Sequence, residues 1–234
     1  MRDSLNSYIQ AIFSQVPSTY ELLNRILTLG IDTRWRKKAA KIASLNGGKA
    51  WLDVCSGTGQ MAIYLSQLAP KETTIVALDF SLPMLRKVFQ KKGVQRLSLC
   101  IGDAGNLPFP ENSFDLVTIS FATRNINTGR DNLSKCLQEF RRVLKPGGRF
   151  INLETSQPFS YFIRRAFHFY VRTFVKRLGT IISGSSEAYA YLSATIPRFF
   201  PANEFSQRME EAGFSFVNYQ GLTLGMVAVH IGYK

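Results

Sequence analysis

A glycine-containing loop follows the first apolar run of this 234-residue sequence. The run ends near Asp53, and Gly57 and Gly59 come shortly after it. Glycines let a backbone turn tightly and approach a ligand, whose polar atoms can meet the free amides at the start of the next helix. Asp79 ends the second apolar run, where a carboxylate can bind both hydroxyls of a ribose. The pattern predicts a site for a nucleoside-containing ligand.

Asp103 and Ala104 follow the third apolar run. Asp103 can accept a hydrogen bond from an adenine amino group while the Ala104 amide meets a ring nitrogen; the alternative is that Asp103 only forms a turn. Gly57, Gly59 and Ala62 also fit the loose dinucleotide fingerprint, which is weak on its own. Two hypotheses therefore stay open from the residues: a nicotinamide dehydrogenase and an S-adenosylmethionine-dependent methyltransferase.

Short apolar runs alternate with helical periodicity through the centre of the chain, which is typical of a parallel sheet covered by helices. The predicted strands are residues 50–54, 74–78, 97–101, 115–120 and 149–153. The predicted helices between them are residues 60–68, 83–90 and 132–144.

Residues 212–233 contain no Asp, Glu, Lys or Arg and are long enough to span a bilayer as a helix. Their apolar residues alternate instead, so we expect two strands joined at residues 221–225, after a helix at residues 201–212. The predicted fold class is α/β, with five parallel strands and a terminal antiparallel hairpin in a seven-stranded, mostly parallel, Rossmann-like sheet.

We expect a single domain over residues 1–234 with four parts. These are N-terminal helices (1–46, clearest at 20–29 and 34–44), a ligand-binding core (47–157), a helical lid or membrane-facing insertion (158–197), and a C-terminal helix with the hairpin (198–234).

The insertion is predicted to contain an amphipathic helix over residues 159–178. Its predicted apolar face is Phe159, Phe162, Ile163, Ala166, Phe167, Tyr170, Phe174 and Leu178, and its basic face is Arg164, Arg165, His168, Arg172 and Lys176. An ordinary packed helix would also show this pattern, but a basic face beside aromatic residues is typical of a lipid interface.

Composition narrows the classes of protein. The hydrophobic share is 45%, which argues against disorder, and 29 Lys and Arg against 16 Asp and Glu give a net charge of +13. Such a charge suits an anionic partner. Three separated cysteines and an N-terminus without a secretory pattern predict a reducing, cytoplasmic setting. No metal site is expected.

Two longer motifs carry a resemblance to a known family. One is Tyr20-Glu21-Leu22-Leu23-Asn24 with Gly30-Ile31 and Trp35, and the other runs from Arg142-Val143-Leu144-Lys145-Pro146-Gly147-Gly148-Arg149 to Glu154-Thr155-Ser156. The chain resembles the class I methyltransferases, and over nearly its whole length the ubiquinone/menaquinone biosynthesis C-methyltransferase family. It departs from that family at Glu21, usually Asp, Leu23, usually Met, Asp32, usually His, and Cys55, commonly Ala.

The resemblance implies S-adenosyl-L-methionine as cofactor. It implies Thr58, Asp79, Asp103, Ala104 and Ser120 as contacts, with Ser120 near the methionine part. With the loop residues, the full predicted cofactor set is Asp53, Ser56, Gly57, Thr58, Gly59, Asp79, Asp103, Ala104 and Ser120.

The implied activity is C-methylation of a prenylated hydroquinone, demethylmenaquinol or its benzoquinol equivalent, in respiratory quinone biosynthesis. The alternative is another lipophilic acceptor. Arg124, Asn125 and Tyr20 are the candidate catalytic residues, whereas His230 is expected to be structural. We expect peripheral association with the anionic inner face of the membrane and no nucleic-acid partner, because the motifs of RNA methyltransferases are absent from the sequence. Self-association into a homodimer, or ligand binding without catalysis, stays open.

Overall fold

The computed structural model describes residues 20–127, 131–175, 177 and 186–234. The strands are β1 Ala50–Val54, β2 Thr74–Asp79, β3 Leu97–Ile101, β4 Phe114–Ser120, β5 Leu144–Thr155, β6 Ser215–Leu222 and β7 Val227–Tyr233. The helices are α1 Tyr20–Leu27, α2 Ile31–Ser44, α3 Gln60–Leu68, α4 Leu82–Val88, α5 Thr123–Ile126, α6 Asn132–Val143, α7 Tyr161–Tyr170, α8 Ser186–Thr195 and α9 Ala202–Glu211.

All seven strands form one sheet in the order β3-β2-β1-β4-β5-β7-β6. Strands β1 to β5 pair in parallel, and β7 runs antiparallel to both β5 and β6. The predicted seven-stranded sheet with a terminal hairpin is therefore confirmed. No helix in the described ranges has the length and apolarity needed to cross a membrane.

Helices cover both faces of the sheet. On one face, Phe140 of α6 and Phe205 of α9 pack with Phe150 of β5, and all three side chains are fully buried. On the other face, the small residues Ala39 and Ala43 let α2 lie close to the sheet beside α3. Because the central strands are buried on both faces, their sequences are nearly continuous apolar runs.

Outside the insertion, two elements have a boundary that differs from the prediction by three residues or more. Helix α2 begins at Ile31, not at residue 34, because Gly30 takes a left-handed conformation (φ 75°) that ends the preceding turn at once. Strand β5 spans Leu144–Thr155, well beyond the predicted residues 149–153, because its start pairs with Phe114 and its end follows β7.

The predicted division of the insertion into one apolar and one basic face is wrong. Helix α7 passes into a π-helical turn, Val171–Val175, and Val171 and Val175 pack on Leu27 and Leu192. Of the predicted apolar face, Phe167 and Tyr170 also pack on this cluster. The predicted basic residue His168 points inward and bonds Gln157 at 2.7 Å. Lys176 and Leu178 lie outside the described residues.

The outward side of this segment carries both aromatic and basic side chains. We call it the α7 aromatic surface. Its exposed members are Phe159, Tyr161, Phe162, Arg165, Phe169, Arg172, Phe174 and Arg177.

Candidate active site

A cavity of about 720 Å³ opens at the carboxyl edge of the sheet, beneath α1 and α2. Parallel strands place their ends on one edge, which brings residues that are distant in sequence together. The lining includes many of the predicted site residues, namely Ser56, Gly57, Thr58, Asp79, Asp103, Ala104, Ser120 and Asn125. It does not include the described residues Asp53, Gly59 and Arg124. The side chain of Tyr20, at the start of α1, lies outside the described residues.

Asp79 joins the glycine loop to the start of α4. Its Oδ2 accepts a hydrogen bond from the Gly57 amide at 2.7 Å, and its Oδ1 accepts one from the Ser81 amide at 2.8 Å. Burial raises the pKa of Asp79, although these hydrogen bonds oppose the shift. Gly57 has φ 57°, and a Cβ built there would meet nothing within 4 Å. The loop therefore leaves open space beside a carboxylate, as a ribose requires.

Asp53 lies under the loop instead of facing the cavity. Its two oxygens accept hydrogen bonds from the Ser56 hydroxyl at 2.6 Å and the Thr118 hydroxyl at 2.7 Å. Burial raises the pKa of Asp53 to about 6, against the opposing effect of those hydroxyls. The predicted direct cofactor contact is thus replaced by support of the loop from below.

Gly59 is also structural. It has φ 75°, and a Cβ at this position would lie 2.8 Å from the Val88 side chain. The left-handed conformation and the close approach of α4 both require glycine here. Gly59, which belongs to the predicted cofactor set, therefore shapes the loop and does not line the cavity.

Asp103 lies at the mouth of the cavity and Ala104 is buried beside it. The Oδ1 atom of Asp103 accepts a hydrogen bond from the Gly105 amide at 2.9 Å, so the side chain does form a turn. The two interpretations from sequence are compatible, because a carboxylate oxygen has further lone pairs for a ligand.

Arg124 and Asn125 separate at the end of β4. The Arg124 guanidinium turns inward and pairs with buried Glu154, with Nη1 and Oε1 2.8 Å apart. This position differs from the predicted place beside the acceptor, because the buried Glu154 carboxylate needs a cation. Asn125 does line the cavity, and its buried Oδ1 has no hydrogen-bond partner among the described residues. A buried acceptor without a partner needs an explanation, and a ligand hydroxyl that reached it would supply one.

His230 lies away from the cavity, as expected. Its Nε2 is 2.9 Å from the Ala202 carbonyl oxygen, which indicates that this nitrogen carries the proton. Burial lowers the pKa of His230 to about 4. A neutral imidazole between β7 and α9 is a structural residue.

Two sets of interactions at the cavity were not predicted from the sequence. Glu21 of α1 accepts hydrogen bonds from the Thr58 hydroxyl and the Lys91 ammonium, and Lys91 also bonds the Thr58 carbonyl at 2.8 Å. Asp32 and Arg36 of α2 form an ion pair at 2.6 Å in the cavity wall. The four-residue spacing of Asp32 and Arg36 was a usable signal for the second pair. No local pattern signals the first, since its members come from three separate elements.

Comparison with known proteins decides the family. The family model of the ubiE/COQ5 methyltransferase family matches residues 1–234. The chain belongs to this family. It is 35% identical over 237 residues to the demethylmenaquinone methyltransferase of Geobacillus kaustophilus, with all of both chains covered. It is 38% identical to the protein of that name from Deinococcus radiodurans, covering 97% of this chain and 92% of the other.

Other relatives carry the second name of the family. The ubiquinone/menaquinone biosynthesis C-methyltransferase of Rickettsia bellii is 36% identical, covering 97% of this chain and 93% of the other. Among solved structures, an S-adenosylmethionine-dependent methyltransferase from Thermotoga maritima matches with TM-score 0.66 and 19% identity, covering 97% of this chain and 99% of that one. At that identity the likeness shows the fold.

This protein is therefore a methyltransferase, and its family and fold imply S-adenosyl-L-methionine as its cofactor. The cavity fits this molecule. Asp79 can bind a ribose diol, Asp103 and Ala104 can meet a base, and the space over Gly57 is open for the chain between them. When bound, the cofactor supplies a methyl group on a sulfonium.

Proposed function

We propose that this methyltransferase acts on a ring carbon of a prenylated hydroquinone, demethylmenaquinol or its benzoquinol equivalent. Full-length similarity to relatives named for these quinones is the observation that carries the proposal. The cavity supports it, because its lining includes Phe121 and Asn125 beside the predicted nucleoside contacts, and these side chains suit an aromatic ring with a hydroxyl.

A ring carbon attacks a methyl group when a neighbouring hydroxyl loses its proton and the charge spreads to the ortho position. The protein must align the ring and stabilise the developing phenolate. We assign Asn125 to bind a hydroxyl, and we keep Tyr20 as a candidate contact with the ring. Arg124 acts as a positioning residue, because its pairing with Glu154 anchors α5, the helix that carries Asn125.

The prenyl tail of such a substrate stays in the bilayer, so the enzyme must meet the membrane. We assign this contact to the α7 aromatic surface. Phe162 is 82% exposed and Phe159 is 72% exposed, which is unusual for phenylalanine unless a partner or a lipid phase covers it. Arg165, Arg172 and Arg177 on the same surface suit anionic lipid, with roughly 1 kcal/mol for each charge.

Methyl transfer tests the proposal directly. The full chain is incubated with S-adenosylmethionine and reduced demethylmenaquinone or its benzoquinol counterpart in detergent, and the product is examined by mass spectrometry for the gain of one methyl. We expect product from the reduced acceptor and little from the oxidised quinone, whose ring carbon is electron-poor. Cofactor binding without methylation of either quinol would contradict the proposed substrate and would favour another lipophilic acceptor.

A further inference from the structure

Arg36 is a buried cation in the wall of the cavity. The residue is only 8% exposed, yet it lines the same cavity as the glycine loop. The lining also contains Arg25 and Lys37, but both of those residues are exposed. A buried guanidinium is costly unless its donors are satisfied, so the position of Arg36 needs a physical reason.

Neighbouring groups hold the Arg36 side chain in place. The Asp32 carboxylate accepts a hydrogen bond from Nη1 of Arg36 at 2.6 Å and another from the Thr28 hydroxyl at 3.1 Å. The guanidinium carbon lies 4.8 Å from the centre of the Phe121 ring. Phe121 has φ 55°, a left-handed conformation at the end of β4 that few side chains adopt. The cation is therefore fixed between a carboxylate and an aromatic face.

Asp32 does not use the full capacity of the guanidinium. A guanidinium has five N–H donors, and in the part of the chain that the structure describes only Nη1 of Arg36 carries a hydrogen bond. Its remaining nitrogens are not among the buried atoms that lack a partner, so they keep some accessible surface, and the residue lines the cavity. A fixed fork with free donors is the group that binds a planar or carbon-bound oxyanion.

The ligands of this cavity supply such an oxyanion in two places. S-adenosylmethionine ends in a carboxylate, and the deprotonated hydroquinone carries a phenolate. Arg36 contacts Phe121, the neighbour of Ser120, and Ser120 is the residue expected near the methionine part. We propose that Arg36 is the oxyanion-binding residue of the cavity, with Asp32 and Phe121 as its positioning residues.

If the oxyanion is the carboxylate of the cofactor, the proposal can be tested by cofactor binding alone. If the oxyanion is the phenolate of the substrate, the proposal rests on the proposed function. The first experiment compares wild type with Arg36→Gln by calorimetric titration, using S-adenosylmethionine and its decarboxylated analogue. If Arg36 binds the carboxylate, the variant loses about 10- to 100-fold in affinity for the intact cofactor, as expected for a charge-assisted hydrogen bond. The analogue then binds both proteins equally.

The second experiment measures the turnover of the reduced acceptor as a function of pH for wild type and for Arg36→Gln. If Arg36 binds the phenolate, cofactor affinity is unchanged in Arg36→Gln, kcat falls by about tenfold or more, and the acidic limb of the kcat profile moves up by about one pH unit. Absence of turnover in wild type tests the proposed function instead, and the calorimetric comparison still decides the carboxylate source.

If the Arg36–Asp32 ion pair is purely structural, Arg36→Gln should lower thermal stability but change neither the affinity for the intact cofactor nor the kcat profile. Unchanged affinity for the intact cofactor together with an unchanged kcat profile would overturn the proposal, as would equal losses for the intact and decarboxylated cofactor. Arg36→Lys keeps the charge and the pairing with Asp32 but removes the fork, so it provides a folded variant with a partial effect. Lys41→Gln, an exposed change on the same helix, is the matched control.

Discussion

Asp53 supports the glycine loop without lining the cavity. Its carboxylate supports Ser56 of the loop and is buried under the cavity floor. Burial raises its pKa to about 6, so between about pH 4 and pH 6 the folded protein holds this proton more tightly than the unfolded chain does. Stability from this group therefore falls as pH rises through that window, by roughly 3 kcal/mol in total.

Asp53→Asn should raise the free energy of unfolding at pH 7 by about 1–3 kcal/mol, because no charge is then buried. Urea denaturation at several pH values measures this, and the variant should lack the downward contribution between pH 4 and pH 6. Asp115→Asn is the control. Although burial opposes it, the hydrogen bond from Lys145 holds the pKa of Asp115 below its usual range, so that variant should lose stability at pH 7. A destabilised Asp53→Asn protein would refute the account.

His230 has the opposite pH dependence. Because burial lowers its pKa from 6.5 to about 4, the unfolded chain takes up the proton first as pH falls. The stability from this residue is present above about pH 6.5 and is lost progressively down to about pH 4, by roughly 3 kcal/mol. In His230→Gln, denaturation curves should show less loss of stability between these pH values than wild type shows. An identical acid profile would contradict this.

Helix α1 joins two functional regions. Its first turn contacts the loop through Glu21, while at its other end the Leu27 carbonyl accepts a hydrogen bond from the Tyr170 hydroxyl and its side chain packs on Val171 and Val175. Leu22 and Asn24 of the same helix line the cavity. The helix thus lines the cavity and rests on the segment that carries the α7 aromatic surface.

Glu21→Gln should weaken cofactor binding by about two- to tenfold, because it removes the ion pair with Lys91 that holds α1 over the loop. Calorimetric titration gives the affinity, and hydrogen exchange in α1 should become faster. Glu72→Gln is the matched control, since it breaks an exposed Glu–Lys pair with Lys49. Equal cofactor affinity in the two variants would show that the position of α1 over the loop does not depend on the Glu21–Lys91 ion pair.

The charge and the exposed aromatic residues of the whole molecule lead to a membrane prediction. Replacing Phe162 and Phe169 with Ser should lower partition onto vesicles by at least about tenfold, because each phenylalanine buried in lipid contributes about 1.5–3 kcal/mol. Co-sedimentation with phosphatidylcholine vesicles, with and without phosphatidylglycerol, measures the apolar and electrostatic parts separately.

Phe216→Ser is the matched control for that prediction. Phe216 is 85% exposed. Its neighbour Ser215 pairs with Tyr233, Tyr233 pairs with Arg149, and Arg149 pairs with Leu116 in the first half of β4, away from the carboxyl ends of the strands. The loss of Phe216 should leave partition unchanged. Equal losses for Phe216→Ser and the double variant would remove the assignment to the α7 aromatic surface, and equal binding to neutral and anionic vesicles would remove the role of the arginines.

The order of elements and the nucleoside loop could be predicted because both depend on local patterns. The runs of β1 and β4 are mostly apolar, so the polar residues Asp53 and Ser120 near their carboxyl ends stood out. The insertion could not be resolved in this way. Helical periodicity identifies apolar positions but does not say whether a packed core or solvent meets them. Phe162, on the predicted apolar face, is exposed, whereas Val171, which is not assigned to that face, is buried.

The sequence by itself determined the family, the fold class, the cofactor and most of the residues at the strand ends, since motif spacing and strand alternation are properties of the chain. Only the tertiary structure decided which charged groups face the cavity. Arg124 pairs with Glu154 inside the protein, Asp53 turns beneath the loop, and Arg36 enters the wall beside Phe121. The direction of each charged side chain depends in part on partners far away in sequence, because burial is tolerated only where an opposite charge or a hydrogen bond compensates it.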